Sequence, residues 1–309
     1  MAKGSKFVHI VDEVTELDEE DRPVLVVALD GFLDAGQAAA LAAEHLFETG
    51  DGPVVATFDV DAFYDYRARR PPMTFMRDHY EQYDAPRLIV RLLRDRQGTR
   101  FLLLSGPEPD TYWEAFAKAV RHVVERFGVR RVVSMGSVPM AVPHTRPIAI
   151  TPHANNPSLV AGESRWRGEL RVPSSAQALL EIRLGGWGHD AQGFVAHVPH
   201  YIAQLEYPKA AVQLLQHVAG ATGLHFDLSL LEADAVDTEA DIARYLASNE
   251  EVGQVVAGLE QQYDAFERAE EEGSSLLAHD TPLPTGEEIG QQFEQFLAGL
   301  DRPDAPETD

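Results

Sequence analysis

Apolar residues come in two rhythms along this chain. Short unbroken runs at Val24–Leu29, Val54–Phe58, Leu88–Leu93, Arg100–Leu104 and Val129–Met135 read as buried strands. Between them the apolar positions recur at helical spacing: Ala38, Leu41, Ala42, His45 and Leu46, then Trp113, Phe116, Val120, Val123, Val124 and Phe127, then Ala211, Leu214, Leu215 and Val218. Asp34 with Gln37 and Thr111 with Glu114 have the spacing of capping boxes and predict two of the helix starts. Pro208 suits the first turn of a third helix, where its missing N–H costs nothing. Asp95-Arg96-Gln97-Gly98 joins two strands as a hairpin link. Strands alternating with helices predict an α/β fold, a mostly parallel sheet flanked by helices.

The rhythm changes in two places. Asp59 to Asp84 has no clean period, and Pro71-Pro72 rules out a continuous helix. Its aromatics, Phe63, Tyr64, Tyr66, Phe75, Tyr80 and Tyr83, fit either a loop folded over the core or a contact with a partner subunit. From Thr238 onward helical stripes follow one another, with starts expected at Thr238, Ser248 and Thr285. The expected organisation is an α/β core over residues 1–236 and a C-terminal helical extension with an acidic tail over 237–309. The polar, acidic residues 1–22 read as a lead-in segment.

Three apolar strands end in small polar turns: Asp30-Gly31, Ser105-Gly106 and Gly136-Ser137. Right-handed crossovers bring such turns to the carboxyl edge of the sheet, where open α/β sheets bind ligands. The candidate pocket residues are therefore Asp30, Gly31, Asp34, Gly36, Ser105, Gly106, Gly136, His144 and Asn156. The simplest roles for the two acids are structural, Asp34 capping the helix and Asp30 fixing the turn; an acid–base pair is the sharper alternative.

Composition narrows the chemistry. With no cysteine there is no disulfide framework, thiolate nucleophile or Cys zinc site. The formal charge of -24 repels nucleic acid and anionic membranes. No apolar run approaches the roughly 18 residues of a membrane span, and the start of the chain lacks a signal-peptide core, so a cytoplasmic protein is expected. The arginine groups Arg67, Arg69, Arg70 and Arg91, Arg94, Arg96, Arg100 read as solvated faces. His197 and His200 flank Pro199, whose extended backbone splays the rings, so no metal is expected. Gly-x-Ser-x-Gly is missing, although His144 or His153 could serve a strand-end serine as base. A Walker loop and a dinucleotide fingerprint are also missing, and no cofactor is expected.

Gly31–Gly36 (GFLDAG) after an apolar strand is similar to the opening motif of the proteasome assembly chaperone 2 family. GSVPMAVPHTRP (136–147), TPHANNPSLV (151–160) and Tyr207-Pro208-Lys209-Ala210-Ala211 resemble later segments of that family, in the same order. The resemblance covers roughly residues 20–235 and suits the family's high-GC bacterial branch. It implies a nucleoside-phosphorylase-like or hydrolase-like fold, a homo-oligomer with a trimer among the candidates, and an assembly or interaction role with proteasome subunits as partners. Some members end in a hydrophobic-Tyr-x tail that docks into proteasome pockets, a pattern that Ala305–Asp309 does not carry. The alternative is a small-molecule enzyme, phosphorylase- or hydrolase-like, using the carboxyl-edge pocket. A deep pocket with converging side chains favours the enzyme; a shallow edge with carboxylates tied to backbone amides favours the interaction protein.

Overall fold

The computed structural model describes residues 6–11, 17, 22–160 and 169–271. The chain forms two compact units, residues 1–260 and 261–309, and of the second only residues 261–271 are described. In chain order the elements are β1 (Val8–Ile10), β2 (Val24–Asp30), α1 (Ala38–Thr49), β3 (Val54–Phe58), α2 (Val60–Phe63), β4 (Met73–Met76), β5 (His79–Tyr83), β6 (Ile89–Arg94), β7 (Arg100–Pro107), α3 (Trp113–Arg126), β8 (Arg131–Met140), β9 (Ile150–Ala154), α4 (Ala176–Gly186), β10 (Ala191–Pro199), α5 (Pro208–Thr222), α6 (Ser229–Ala247) and α7 (Glu250–Glu271).

Eight strands form one sheet in the order β1-β3-β6-β7-β2-β8-β10-β9. The centre is parallel: β2 pairs with β7 and β8, and β8 with β10. The flanks are antiparallel, through β6 and β3 on one side and β9 on the other. This is the α/β architecture expected, with the hairpin β6–β7 where the Asp95–Gly98 link predicts it.

Period two in β2 divides the core. Val24, Val26 and Ala28 pack with α1, α5 and α6, while Leu25, Val27 and Leu29 pack with α3 and α4. Both faces are covered, so the strand reads as a continuous apolar run. The alanines of α1 (Ala38, Ala39 and Ala42) are fully buried and let α1 lie close to the sheet and to α5.

Several local expectations are corrected. At the first capping box a 3-10 turn, Ala35–Gln37, intervenes before α1, and Gln37 adopts φ 51 and does not reach back to Asp34. At the second, α3 begins at Trp113 behind a left-handed Tyr112; the Thr111 hydroxyl turns to Ala62 O and Glu114 pairs with Arg183. The helix expected from Thr238 begins at Ser229, and α7 is capped by Asn249, whose Oδ1 accepts the Val252 N–H, rather than by Ser248. The start expected at Thr285 lies outside the described residues. The acidic lead-in contains β1, which pairs with β3, and the irregular 59–84 segment contains α2 and the separate hairpin β4–β5.

Candidate functional site

The carboxyl edge is built by the β2–α1 turn. Asp34 lies alongside Ser137 of β8, and Ser137 N–H donates to Leu33 O at 2.9 Å while its hydroxyl donates to Ala35 O at 2.7 Å. The Asp34 carboxylate accepts the Ala39 N–H at 2.6 Å and the Ala40 N–H at 3.3 Å, so it caps α1 across the 3-10 turn. Burial pushes its pKa up to about 6, with the Ala39 and Ala40 hydrogen bonds opposing the rise and Asp30 adding to it. Gly36 sits at φ 68, and a Cβ there would lie 2.9 Å from Tyr207 Cβ. Its N–H donates to Ala203 O at 2.7 Å and its carbonyl accepts the Tyr207 N–H at 2.8 Å, which ties the turn to the start of α5.

A second carboxylate fills the space beside this turn. Glu108, just beyond β7, accepts the Phe32 N–H at 3.1 Å with Oε2 and the Ala176 N–H at 2.8 Å with Oε1. It thus supplements Ser175, whose hydroxyl accepts the Ala178 N–H at the start of α4. Gly31 makes room for it: a Cβ at Gly31 would fall 2.4 Å from Glu108 Oε2. Arg69 locks the outside, donating to Glu108 O at 2.6 Å and Asp110 Oδ2 at 2.7 Å and lying 4.6 Å over the Tyr64 ring. This arginine was expected on a solvated face; the loop carries it back onto the sheet edge. Beside it lies a crevice too narrow to hold a ligand, lined by Val60, Phe63, Tyr64, Leu88, Pro107, Glu108 and Pro109.

The structure brings Asp30, Gly31, Asp34, Gly36, Ser105, Gly106 and Gly136 to this edge, since the register sets Ala28 beside Ser105 and Met135, and Leu29 beside Gly106. Ser105 is buried, and Gly106, at φ +127, is there for close approach: a Cβ would lie 2.0 Å from Arg87 O. Gly136 faces Leu33 and the Gln177 amide, which donates to Met135 O at 3.0 Å.

The last two candidates part company: Asn156 leaves the carboxyl edge, while His144 stays on it, just past the ends of β8 and β10. Asn156 follows β9, which runs antiparallel to β10, so it reaches the amino edge instead; there it accepts the Ser158 N–H and donates to Asp190 Oδ1 at 3.2 Å. His144 is buried in the β8–β9 connection, where its Nδ1 meets the Tyr201 hydroxyl at 2.7 Å and its carbonyl accepts from Lys209 at 3.1 Å. Burial, then Lys209, lowers its pKa. Ion pairs of Lys209 with Glu239 and Arg146 with Glu260 fix this connection to α6 and to the first half of α7. His197 turns to Thr151 at 2.8 Å and His200 to Met140 O at 3.3 Å, so the two rings are splayed.

Sequence reading missed Glu108 and Gln177, and placed Ser137 at the edge only as part of a strand-end turn. The signal for Glu108 was its place in Gly106-Pro107-Glu108-Pro109, directly after a strand ending at the same edge.

At this edge the N-termini of α1 and α4 are each met by one of the chain's own carboxylates. Among the described residues no helix is long and apolar enough to cross a membrane.

No curated protein matches the chain. Among solved structures, a Mycobacterium tuberculosis protein of unknown function is 48% identical, with a TM-score of 0.83 over 87% of this chain and 92% of that one. A Corynebacterium glutamicum protein of unknown function is 35% identical, with a TM-score of 0.80 over 84% of this chain and 97% of that one. A Mycobacterium tuberculosis proteasome-assembly chaperone homologue is 27% identical, with a TM-score of 0.69 over 75% of this chain and 99% of that one. The PAC2 family model matches residues 28–246, which span all the elements from the end of β2 into α6, and on that match the chain belongs to the PAC2 family.

Proposed function

We propose that this protein is a non-enzymatic, homo-oligomeric interaction protein of the assembly-chaperone kind, working on proteasome subunits in the cytoplasm. The observation that carries the reading is the hairpin β4–β5. Its pairs Met73–Tyr83 and Phe75–Tyr80 share one face, and all four side chains are exposed, with the Phe75 and Tyr80 rings 5.0 Å apart. The other face carries Thr74, Glu81, His79 and one apolar residue, Met76, with His79 paired to Asp78 and Glu81. A two-stranded hairpin is marginal in water without something to pack against. A neighbouring copy supplies that cover and makes the hairpin the subunit contact.

The carboxyl edge supports the same reading. Its carboxylates are spent on backbone amides, which leaves little for a small-molecule reaction there. The likeness to a proteasome-assembly chaperone homologue supports the choice of partner.

Solution scattering with mass determination, at several concentrations and with and without purified proteasome α and β subunits, tests both parts. The expected result is a concentration-stable oligomer that forms a defined complex with the subunits. A monomer at all concentrations overturns the hairpin contact. An oligomer that ignores both subunits overturns the choice of partner.

A further inference from the structure

Along α6 the residues Leu231, Ala235 and Ile242 are buried, on the side that meets α5. The rest of a helix surface that faces water is ordinarily polar. Here Leu230, Val236 and Tyr245 are each more than half exposed, and Ala233, Ala240 and Ala247 keep the surface between them flat. The helix holds five carboxylates and one arginine. Lys209 pairs with Glu239, and Arg244 pairs with Asp241. Glu232, Asp234 and Asp237 are exposed beside the apolar residues, and among the described residues no cation pairs with them.

The arm that carries β4 and β5 has the opposite sign. Residues 67–83 contain four arginines and two carboxylates, in a chain whose formal charge is -24. Arg69 is held by Asp110. Arg70, at the base of the hairpin, and Arg77, at its tip, are exposed, and among the described residues no acid pairs with them. The apolar face of Met73, Phe75, Tyr80 and Tyr83 lies between these two arginines. At a strand's rise per residue the two stand about 23 Å apart. At a helix's rise per residue α6 is about 28 Å long. The arm therefore matches the helix in length as well as in apolar character, and opposes it in charge.

We propose that the β4–β5 hairpin of one copy lies along α6 of the next copy. Its apolar face covers Leu230 and Val236, and Arg70 and Arg77 stand over Glu232, Asp234 and Asp237. This rests on the reading of the hairpin as the subunit contact and names the surface that receives it. Two hairpins laid face to face would bring arms of like charge together, which opposes that arrangement. On α6 the same arm meets carboxylates. Each copy then gives one arm and receives one, at two different places on its surface. Such a contact is heterologous, so the copies close into a ring rather than a two-fold dimer.

The chain has no cysteine, so introduced thiols report one contact each. The full-length protein with Arg77→Cys and Asp237→Cys is treated with a short bis-maleimide, and its mass is read by scattering before treatment and by denaturing electrophoresis after it. The expected result is a ladder of chains joined Cys to Cys that ends at the subunit number found by scattering, with neither single variant cross-linked. In a second series Arg70→Glu with Arg77→Glu weakens association about 100-fold, and so does Asp234→Lys with Asp237→Lys. All four changes in one chain recover most of the loss, because the reversed charges attract again; damage to folding would not be repaired in this way. An oligomer of normal mass that gives no ladder, or in which Arg77→Cys alone joins chains in pairs, overturns the docking on α6 and leaves the hairpin contact standing. A four-fold variant no better associated than either pair overturns the charge pairing. A protein that is monomeric before treatment, with and without the cysteines, overturns the hairpin contact itself.

Discussion

The carboxyl edge and the β4–β5 hairpin are opposite solutions to the same problem. At the edge, two helix starts and a tight turn expose backbone N–H groups, and the chain supplies acceptors for them: Asp34 for α1, Glu108 with Ser175 for α4, and Glu108 again for Phe32. At the hairpin the backbone pairs with itself, but the apolar face of Met73, Phe75, Tyr80 and Tyr83 is left uncovered. The edge has the position of a ligand site and the chemistry of a closed structural joint. The hairpin lay in a stretch without a readable period and leaves its apolar face exposed. Position in a fold is thus a weaker guide to function than the state of satisfaction of the groups found there.

The largest effect is expected at the hairpin. Phe75→Asp with Tyr80→Asp removes two aromatic anchors, each worth about 2 kcal/mol or more if they are hot spots, so association weakens by a factor of roughly 1,000. Sedimentation should show smaller particles while the thermal transition of the folded chain persists. Unchanged mass would break the comparison, because the uncovered face would then have no use in assembly.

Glu108→Ala comes next. It orphans the N–H groups of Phe32 and Ala176 and is expected to cost about 3 kcal/mol in urea unfolding, with subunit mass unchanged. Glu108→Gln, which keeps an acceptor oxygen, costs less. A loss of assembly rather than of stability would move the edge into the class of the hairpin.

Asp34 sharpens the same point through pH. Its folded pKa is raised from 3.8 to about 6, so between these values the folded state binds the proton more tightly than the unfolded chain. Its contribution to stability is full below about pH 4 and is lost as pH rises through about 6, a swing of at most roughly 3 kcal/mol. Asp34→Asn removes this term. The stability of the variant relative to the parent should therefore rise between pH 4.5 and 7, and parallel profiles would contradict the burial of this carboxylate.

Lys209→Met is expected to have the smallest effect. Its pair with Glu239 is partly solvent-exposed, so the loss is about 1 kcal/mol or less and diminishes in salt. A much larger loss would show that the joint between α5 and α6 depends on this charge.

Much of the fold was legible because it rests on local rules. Val24–Leu29 announces a strand covered on both faces, Asp34 announces a cap, and the Ala-rich stripe of α1 announces close packing. Where reading failed, the cause was a contact distant in sequence. Gln37 is not the second half of a capping box because Gly36 must bend under Tyr207 and Val198. Asn156 is not at the carboxyl edge because β9 runs against β10, and a short strand of five residues carries no mark of its direction. Glu108 escaped notice because its partners, Phe32 and Ala176, lie 76 and 68 residues away.

By itself, then, the sequence determined the class of fold, the gathering of the Asp30, Ser105 and Gly136 turns on one edge, and the family, since each follows from apolar period, turn chemistry or short motifs. Only the tertiary structure decided whether that edge is open or spent and which face of the 59–84 segment is left bare. Those outcomes depend on strand order and register, which bring together residues that no spacing along the chain relates.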